Sequence, residues 1–219
     1  MESTPPFSMG QQKVQLPGPA GALEALLSPV PDGITPKRAV LLCHPHPLYG
    51  GTMHNKVLYR IARRLPVEAD ALALRFNFRG VGGSEGSYDE GKGEIQDVRA
   101  GLDWLAERVP QARLALVGYS FGAVVGLHAA ALDGRPRTLV GLGVPLSMAM
   151  DFSQLAEIRV PLLLVQGEKD EFADEEAVRR FAEGLPRPPA LHFVPGAGHL
   201  FQGVEDAAVD AVVRFLSEN

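Results

Sequence analysis

The stretch that decides the fold is LALVGYSFGAVVGLHAA, residues 114–130, in which a short strand-like apolar run gives way to a helix-like run. Ser120 lies between the two runs, with Gly118 and Gly122 two positions away on either side. The pattern Gly-x-Ser-x-Gly is informative only between a strand and a helix, which is its position here. A sharp turn would expose the hydroxyl at a helix N-terminus, where free N–H groups favour negative charge. We therefore predict that Ser120 is a nucleophile; the alternative is a serine that caps a buried helix.

The chain on both sides of this stretch alternates between short apolar runs and segments with helical spacing of apolar residues. Near-continuous apolarity suits strands that are covered on both faces of a parallel sheet. The alternation predicts an α/β fold with a mostly parallel sheet of about seven or eight strands and helices on both faces. The predicted strands are Lys13–Leu16, Ala22–Leu27, Ala39–Cys43, Ala71–Phe76, Leu114–Val117, Thr138–Leu142, Pro161–Val165 and Leu191–Val194. Apolar residues recur at helical spacing from near Val57, Ile95, Ala177 and Val209. The segment from Phe121 to Leu132 is apolar nearly all round, which predicts a central buried helix.

Length and composition bound the domain organisation and the partners. We expect a loose N-terminal arm over residues 1–12 and a single domain over residues 13–219. A formal net charge of −5 and scattered basic residues give no reason to expect a nucleic-acid partner. Cys43 is the only cysteine, so no internal disulfide can form, which fits a reducing compartment. Without a signal-peptide pattern or an apolar run of about 18 residues, we expect a cytoplasmic monomer or homodimer and no membrane partner.

Polar residues that follow the predicted strands should meet at one edge of the sheet, where open α/β folds bind ligands. His199 follows PGAG after the last strand, and Asp170 lies in GEKDEF after the strand before it. A serine hydroxyl needs an adjacent base, and an imidazole base needs a carboxylate that fixes its tautomer. The chain order Ser120, Asp170, His199 therefore predicts a catalytic triad. Other acidic side chains that could take the place of Asp170 are Glu168, Glu171 and Asp174.

A nucleophile of this kind also needs N–H donors for the oxyanion that forms on the substrate. The backbone N–H of Phe121, directly after Ser120, is the expected first donor. The second should come from the loop HPHPLY, residues 44–49, in which the two prolines have no N–H. The choice narrows to His46, Leu48 or Tyr49; we favour His46, with Leu48 second.

Two other features of the sequence allow different interpretations. His44, His46 and His54 could form a metal cluster, but no carboxylate or cysteine with matching spacing supports one. RGVGGSEG, residues 79–86, has glycine spacing like a phosphate-binding loop, but it lacks the Lys-Ser/Thr of such loops. A structural turn is the better interpretation. We expect neither a metal nor an organic cofactor.

The motifs together resemble those of the α/β-hydrolase superfamily. The chain is most similar to small bacterial serine hydrolases marked by HPHPLYGGTMHNKV, RFNFRGVGGSEGSYDEGKGE, GYSFGA, QGEKDE and PGAGH. The similarity runs in collinear order from about Val14 to the C-terminus. It implies the α/β-hydrolase fold, the nucleophile at Ser120, the acid at Asp170 and the base at His199. It also implies oxyanion donors at Phe121 and in the loop of residues 44–48.

The stretch from about Gly143 to Val160 is short where larger members of the superfamily often insert a lid. We therefore expect no cap domain and an open, shallow site with an apolar wall. The residues expected to line the substrate pocket are Tyr49, Tyr119, Leu146 and Met148.

These expectations lead to a serine hydrolase, carboxylesterase-like, that cleaves small to medium carboxylic esters through an acyl-enzyme on Ser120. A small-molecule ester would be its partner. Thioesterase, sugar deacetylase and small peptidase activities remain open, because one fold hosts many chemistries. The alternative from another class is a non-catalytic ligand-binding protein that retains the fold.

Overall fold

The structure is a computed structural model that describes residues 10–147 and 153–219. Its strands are β1 Gln12–Gly18, β2 Gly21–Ser28, β3 Arg38–Cys43, β4 Ala71–Phe76, β5 Arg113–Tyr119, β6 Thr138–Leu142, β7 Leu162–Gly167 and β8 Ala190–Val194. Its α-helices are α1 Lys56–Glu68, α2 Lys92–Arg108, α3 Phe121–Asp133, α4 Glu175–Glu183 and α5 Glu205–Glu218. Short 3-10 helices cover Pro47–Tyr49 and Ser153–Glu157.

All eight strands form one sheet in the order β1-β2-β4-β3-β5-β6-β7-β8. β2 is antiparallel to both of its neighbours, β1 and β4. The other strands, β4, β3, β5, β6, β7 and β8 in their order across the sheet, are parallel to one another. The predicted mostly parallel α/β fold is confirmed. Among the strands that run further than predicted are β5 and β7, because Tyr119 of β5 still pairs with Leu142 and Gly167 of β7 still pairs with Val194. Gln166 therefore belongs to β7.

Each face of the sheet is covered by its own apolar core. Side chains alternate along every strand, so neighbouring residues enter different cores: Leu42 packs on the side of α1 and α5, and Cys43 on the side of α2 and α3. Cys43 is fully buried, as its apolar run predicts, and burial raises the pKa of its thiol. Burying each large aliphatic side chain contributes about 1.5–3 kcal/mol, so the two cores hold the sheet edge in place.

The connection between β6 and β7 spans residues 143–161, and within its described part it contains one short 3-10 helix. This length leaves no room for a cap domain over the carboxyl edge of the sheet, as the sequence predicted. In the ranges that the structure describes, no helix has the length and apolarity needed to cross a membrane.

Candidate active site

Ser120 occupies the turn between β5 and α3 in a backbone conformation that L-residues rarely adopt. Its φ is 54° and its ψ is −119°, and such strain persists only where the surroundings enforce it. A Cβ at Gly122 would lie 2.3 Å from the carbonyl oxygen of Cys43, so only glycine lets the end of β3 approach α3 this closely. The Ser120 side chain makes no capping hydrogen bond to α3. The helix-cap alternative is therefore wrong.

The Ser120 hydroxyl forms a hydrogen bond with His199 instead. Ser120 Oγ and His199 Nε2 are 2.8 Å apart, and His199 Nδ1 lies 2.9 Å from Asp170 Oδ2. All three residues are buried, at 8%, 7% and 4% exposure, so little water competes for these contacts. The structure thus joins the serine, histidine and aspartate that the sequence selected, from the loops after β5, β8 and β7.

Two further contacts hold His199, one on its backbone and one on its ring. The Tyr119 hydroxyl donates to the backbone oxygen of His199 at 2.8 Å, and the Phe172 ring packs edge-on against the imidazole at 4.6 Å between centroids. Neither contact was predicted from the sequence. The Tyr119 contact fixes the backbone of the loop, and the Phe172 contact limits rotation of the ring.

Asp170 has further partners besides the imidazole. Its Oδ1 accepts the backbone N–H of Phe172 at 2.9 Å. Its Oδ2, the oxygen that faces His199, also accepts the side-chain amide of Gln166 at 2.7 Å. Gln166 is fully buried in β7. The only sequence signal for it was a polar residue at the end of the otherwise apolar run PLLLVQG.

The other acidic residues of this loop have different contacts. Glu168 accepts the N–H of Gly196 at 2.9 Å, which ties the two loops together. Glu171 Oε2 lies 3.4 Å from the backbone nitrogen of His199, away from its ring. Asp174 caps α4 through the N–H of Ala177 at 2.8 Å. None of the three contacts the imidazole nitrogens.

The loop after β3 distinguishes the three candidate oxyanion donors. The N–H of Leu48 donates to Nδ1 of His46 at 3.2 Å, and the N–H of Tyr49 donates to the His46 carbonyl at 3.1 Å. The N–H groups of His46 and Phe121 have no hydrogen-bond acceptor within residues 10–147 and 153–219. The ring of His46 contacts that of Phe121 at 4.8 Å. These two N–H groups, which have no protein acceptor among the described residues, thus belong to residues whose rings are in contact.

The rings of His44 and His46 both form hydrogen bonds with groups of the protein. Burial lowers the pKa of His44 to about 4, so its ring is neutral near pH 7. Its Nε2 accepts the N–H of Phe78 at 3.1 Å, which joins the ends of β3 and β4. Burial also lowers the pKa of His46, although the Glu94 carboxylate opposes this. In the described part of the chain, no three histidine, cysteine or acidic side chains are grouped as a metal site would require.

The glycine-rich stretch 79–86 is a turn tied to β2. The N–H of Gly83 donates to the Glu24 carboxylate at 2.9 Å, and the N–H of Glu85 donates to the Ala22 carbonyl at 2.9 Å. Arg79 forms a buried ion pair with Asp97, with a shortest distance of 2.7 Å. Protein acceptors thus hold the stretch, as expected of a structural turn.

The predicted pocket residues differ in where they lie. Tyr49 is 83% exposed beside His46, with 4.7 Å between the ring centroids. Leu146 is half-buried against the core on the α2–α3 side. Tyr119 does not line a pocket, because it is fully buried in the core on the α1–α5 side. Met148 lies outside the described residues.

The model of the alpha/beta hydrolase domain family matches residues 36–211. The chain belongs to this family. It is similar to the α/β serine hydrolase without a lid from Xanthomonas campestris, with 35% identity, a TM-score of 0.85, and coverage of 98% of this chain and 97% of that one. An α/β serine hydrolase homologue from Coxiella burnetii gives 35% identity, a TM-score of 0.85, and 95% and 98% coverage.

A curated relative extends the similarity to a third organism. An uncharacterized protein of Rickettsia prowazekii (strain Madrid E) is 33% identical over 207 residues, which are 91% of this hydrolase and 86% of that protein. Family membership and the serine hydrolase relatives support hydrolase activity. They leave the substrate class to be argued from the site.

Proposed function

We propose that this hydrolase cleaves small to medium carboxylic esters through an acyl-enzyme on Ser120. The observation that carries the proposal is the buried hydrogen-bonded chain from Ser120 Oγ through His199 to Asp170. A serine hydroxyl is a weak nucleophile without a base, and this chain supplies the base and the carboxylate that orients it.

In the first step, Ser120 Oγ attacks the ester carbonyl carbon while its proton moves to His199 Nε2. His199 Nδ1 keeps its proton and donates a hydrogen bond to Asp170 Oδ2, so the carboxylate stabilises the imidazolium. The carbonyl oxygen becomes an oxyanion that accepts the N–H groups of Phe121 and His46. Each donor of this kind contributes about 3 kcal/mol to transition-state stabilisation.

In the second step, the tetrahedral intermediate collapses and the bond to the alcohol oxygen breaks. His199 Nε2 returns its proton to the departing alkoxide, which leaves as the alcohol, and the acyl group stays on Ser120. A water molecule then attacks the acyl carbonyl while His199 takes its proton. The same imidazole gives that proton back to Ser120 Oγ as the carboxylic acid departs.

The surroundings of Ser120 favour a substrate of small to medium size. Within residues 10–147 and 153–219, no cap domain covers the sheet edge. Leu48, Tyr49 and Leu200 are exposed at 66%, 83% and 53% on the loops that carry the proposed oxyanion donor and His199. An open rim with apolar side chains can hold a short or medium acyl chain. It cannot enclose a long one, which supports small to medium esters.

A panel of nitrophenyl esters from acetyl to palmitoyl, assayed with wild type and Ser120→Ala, tests the proposal. We expect kcat/KM to fall beyond medium acyl lengths. In Ser120→Ala the rate should fall by about 10⁶-fold, the range for losing such a nucleophile. Equal rates in Ser120→Ala would contradict the acyl-enzyme, and a preference for palmitoyl emulsions would contradict the open site. Turnover of thioesters alone would reassign the substrate class.

A further inference from the structure

We propose that Gln166 is a positioning residue for the reaction: its side-chain amide holds the Asp170 oxygen that faces His199. The proposal rests on the hydrolase function proposed above and adds a residue that neither the motifs nor the family comparison assigns. Gln166 contacts neither Ser120 nor the imidazole, so it acts through Asp170.

The orientation of the Gln166 amide is fixed by its other end. Oε1 accepts the backbone N–H of Val144 at 3.0 Å. An N–H can only donate, so it requires the carbonyl oxygen of the amide and turns Nε2 toward Asp170. Gln166 is fully buried, so water does not offer a competing partner. Nε2 can therefore only donate, to the Asp170 carboxylate at 2.7 Å and to the more distant Ala173 carbonyl at 3.5 Å.

The donor reaches the oxygen on which the imidazole depends. Asp170 Oδ2 lies 2.7 Å from Gln166 Nε2 and 2.9 Å from His199 Nδ1, while Oδ1 accepts Phe172 N–H at 2.9 Å. Besides the imidazole, each oxygen of the carboxylate has one donor, so rotation about the bond between the carboxylate and Cβ breaks at least one hydrogen bond. The imidazolium that forms during catalysis thus meets a carboxylate already in place.

Asn77 provides a matched control elsewhere in the fold. It is also a buried amide, its Oδ1 accepts the N–H of Met53 at 2.8 Å, and its Nδ2 donates to a Glu24 oxygen at 2.8 Å. Its partners are of the same kinds as those of Gln166, but the Glu24 carboxylate contacts neither Ser120 nor His199. Replacing Asn77 measures the cost of losing a buried amide alone.

The experiment compares Gln166→Met and Asn77→Leu, which keep nearly the same volume, with wild type. We expect Gln166→Met to lower kcat for a short nitrophenyl ester by about tenfold to a hundredfold with KM unchanged. That range corresponds to losing a hydrogen bond to a charged group. The low-field proton NMR resonance of His199 Nδ1–H should shift or broaden in Gln166→Met and remain in place in Asn77→Leu.

A wild-type kcat and an unmoved resonance in Gln166→Met would overturn the proposal. So would an equal fall of kcat and an equal change of the resonance in Asn77→Leu, because the effect would then be a loss of packing. If Gln166→Met does not fold, Gln166→Glu keeps the length and the acceptor for Val144 N–H. It should lose kcat at alkaline pH, where a second carboxylate opposes Asp170, and full activity there would overturn the proposal.

The resonance is measured on the resting protein without substrate. If wild type hydrolyses no ester, the proposed function fails, yet the resonance still reports whether Gln166 controls the contact between Asp170 and His199. The two failures are therefore distinguishable.

Discussion

The two sides of the Ser120 turn are built on different principles. On the acid–base side, defined by Gln166, Asp170 and His199, buried side chains hold one another through hydrogen bonds of 2.7 and 2.9 Å. On the loop side, defined by residues 44–51, the group that would act on the substrate is the backbone N–H of His46, while the side chains of Leu48 and Tyr49 are exposed.

Because of this difference, we expect substitutions on the two sides to change different kinetic constants. Where side chains carry the proton transfer, removing one changes the transition state and therefore kcat. Where the backbone carries the charge stabilisation, a side chain can change without removing the donor. Substitutions on the loop side should then alter which substrates bind, mainly through KM.

The larger of the two effects expected here comes from a substitution on the acid–base side. Asp170→Asn should lower kcat by about 10³–10⁴-fold with little change in KM, because the asparagine amide no longer fixes the productive tautomer of His199. Steady-state kinetics on a short nitrophenyl ester measures this. Glu168→Gln, in the same loop but bound to Gly196 N–H, serves as the control and should keep the wild-type kcat. A similar loss in both variants would show that the loop, and not the carboxylate, is responsible.

A smaller effect is expected on the loop side. Tyr49→Ala removes an exposed ring that contacts the His46 ring at 4.7 Å. KM for a medium-chain ester should rise by about twofold to tenfold, the range for losing one aromatic contact, while kcat stays the same. The acetyl ester, with less apolar surface, should show a smaller rise in KM. A large fall in kcat with KM unchanged would contradict the expectation that side chains on the loop side affect substrate binding and not the chemical step.

The strand-turn-helix around Ser120 and the order of Ser120, Asp170 and His199 were predictable, because each of the three residues follows a short, nearly continuous apolar run that predicts a buried strand. Tyr119 was assigned to the substrate pocket, but it is buried in the core. β5 continues through Tyr119, and strand alternation turns it to the same core as Val117. The predicted end of the strand at Val117 concealed this alternation.

The contacts that hold the site were not predictable, for a different reason. Gln166 meets Val144 only when two chain segments, the start of the connection after β6 and the end of β7, come together, and its contact with Asp170 depends on how the chain turns after β7. Neither arrangement can be deduced from the periodicity of the sequence. Because Pro45 and Pro47 have no N–H, the sequence leaves three candidate residues for the second oxyanion donor. The structure decides among them, because the N–H groups of Leu48 and Tyr49 donate within the loop and, in the described part of the chain, that of His46 has no protein acceptor.

The central claim is that Ser120 is a nucleophile activated by His199, and a fluorophosphonate probe tests it most directly. Intact-mass spectrometry of the wild-type protein should show one covalent adduct, and peptide mapping should place it on Ser120. Ser120→Ala should show no adduct under the same conditions. An unlabelled wild type, or equal labelling of Ser120→Ala, would contradict the account.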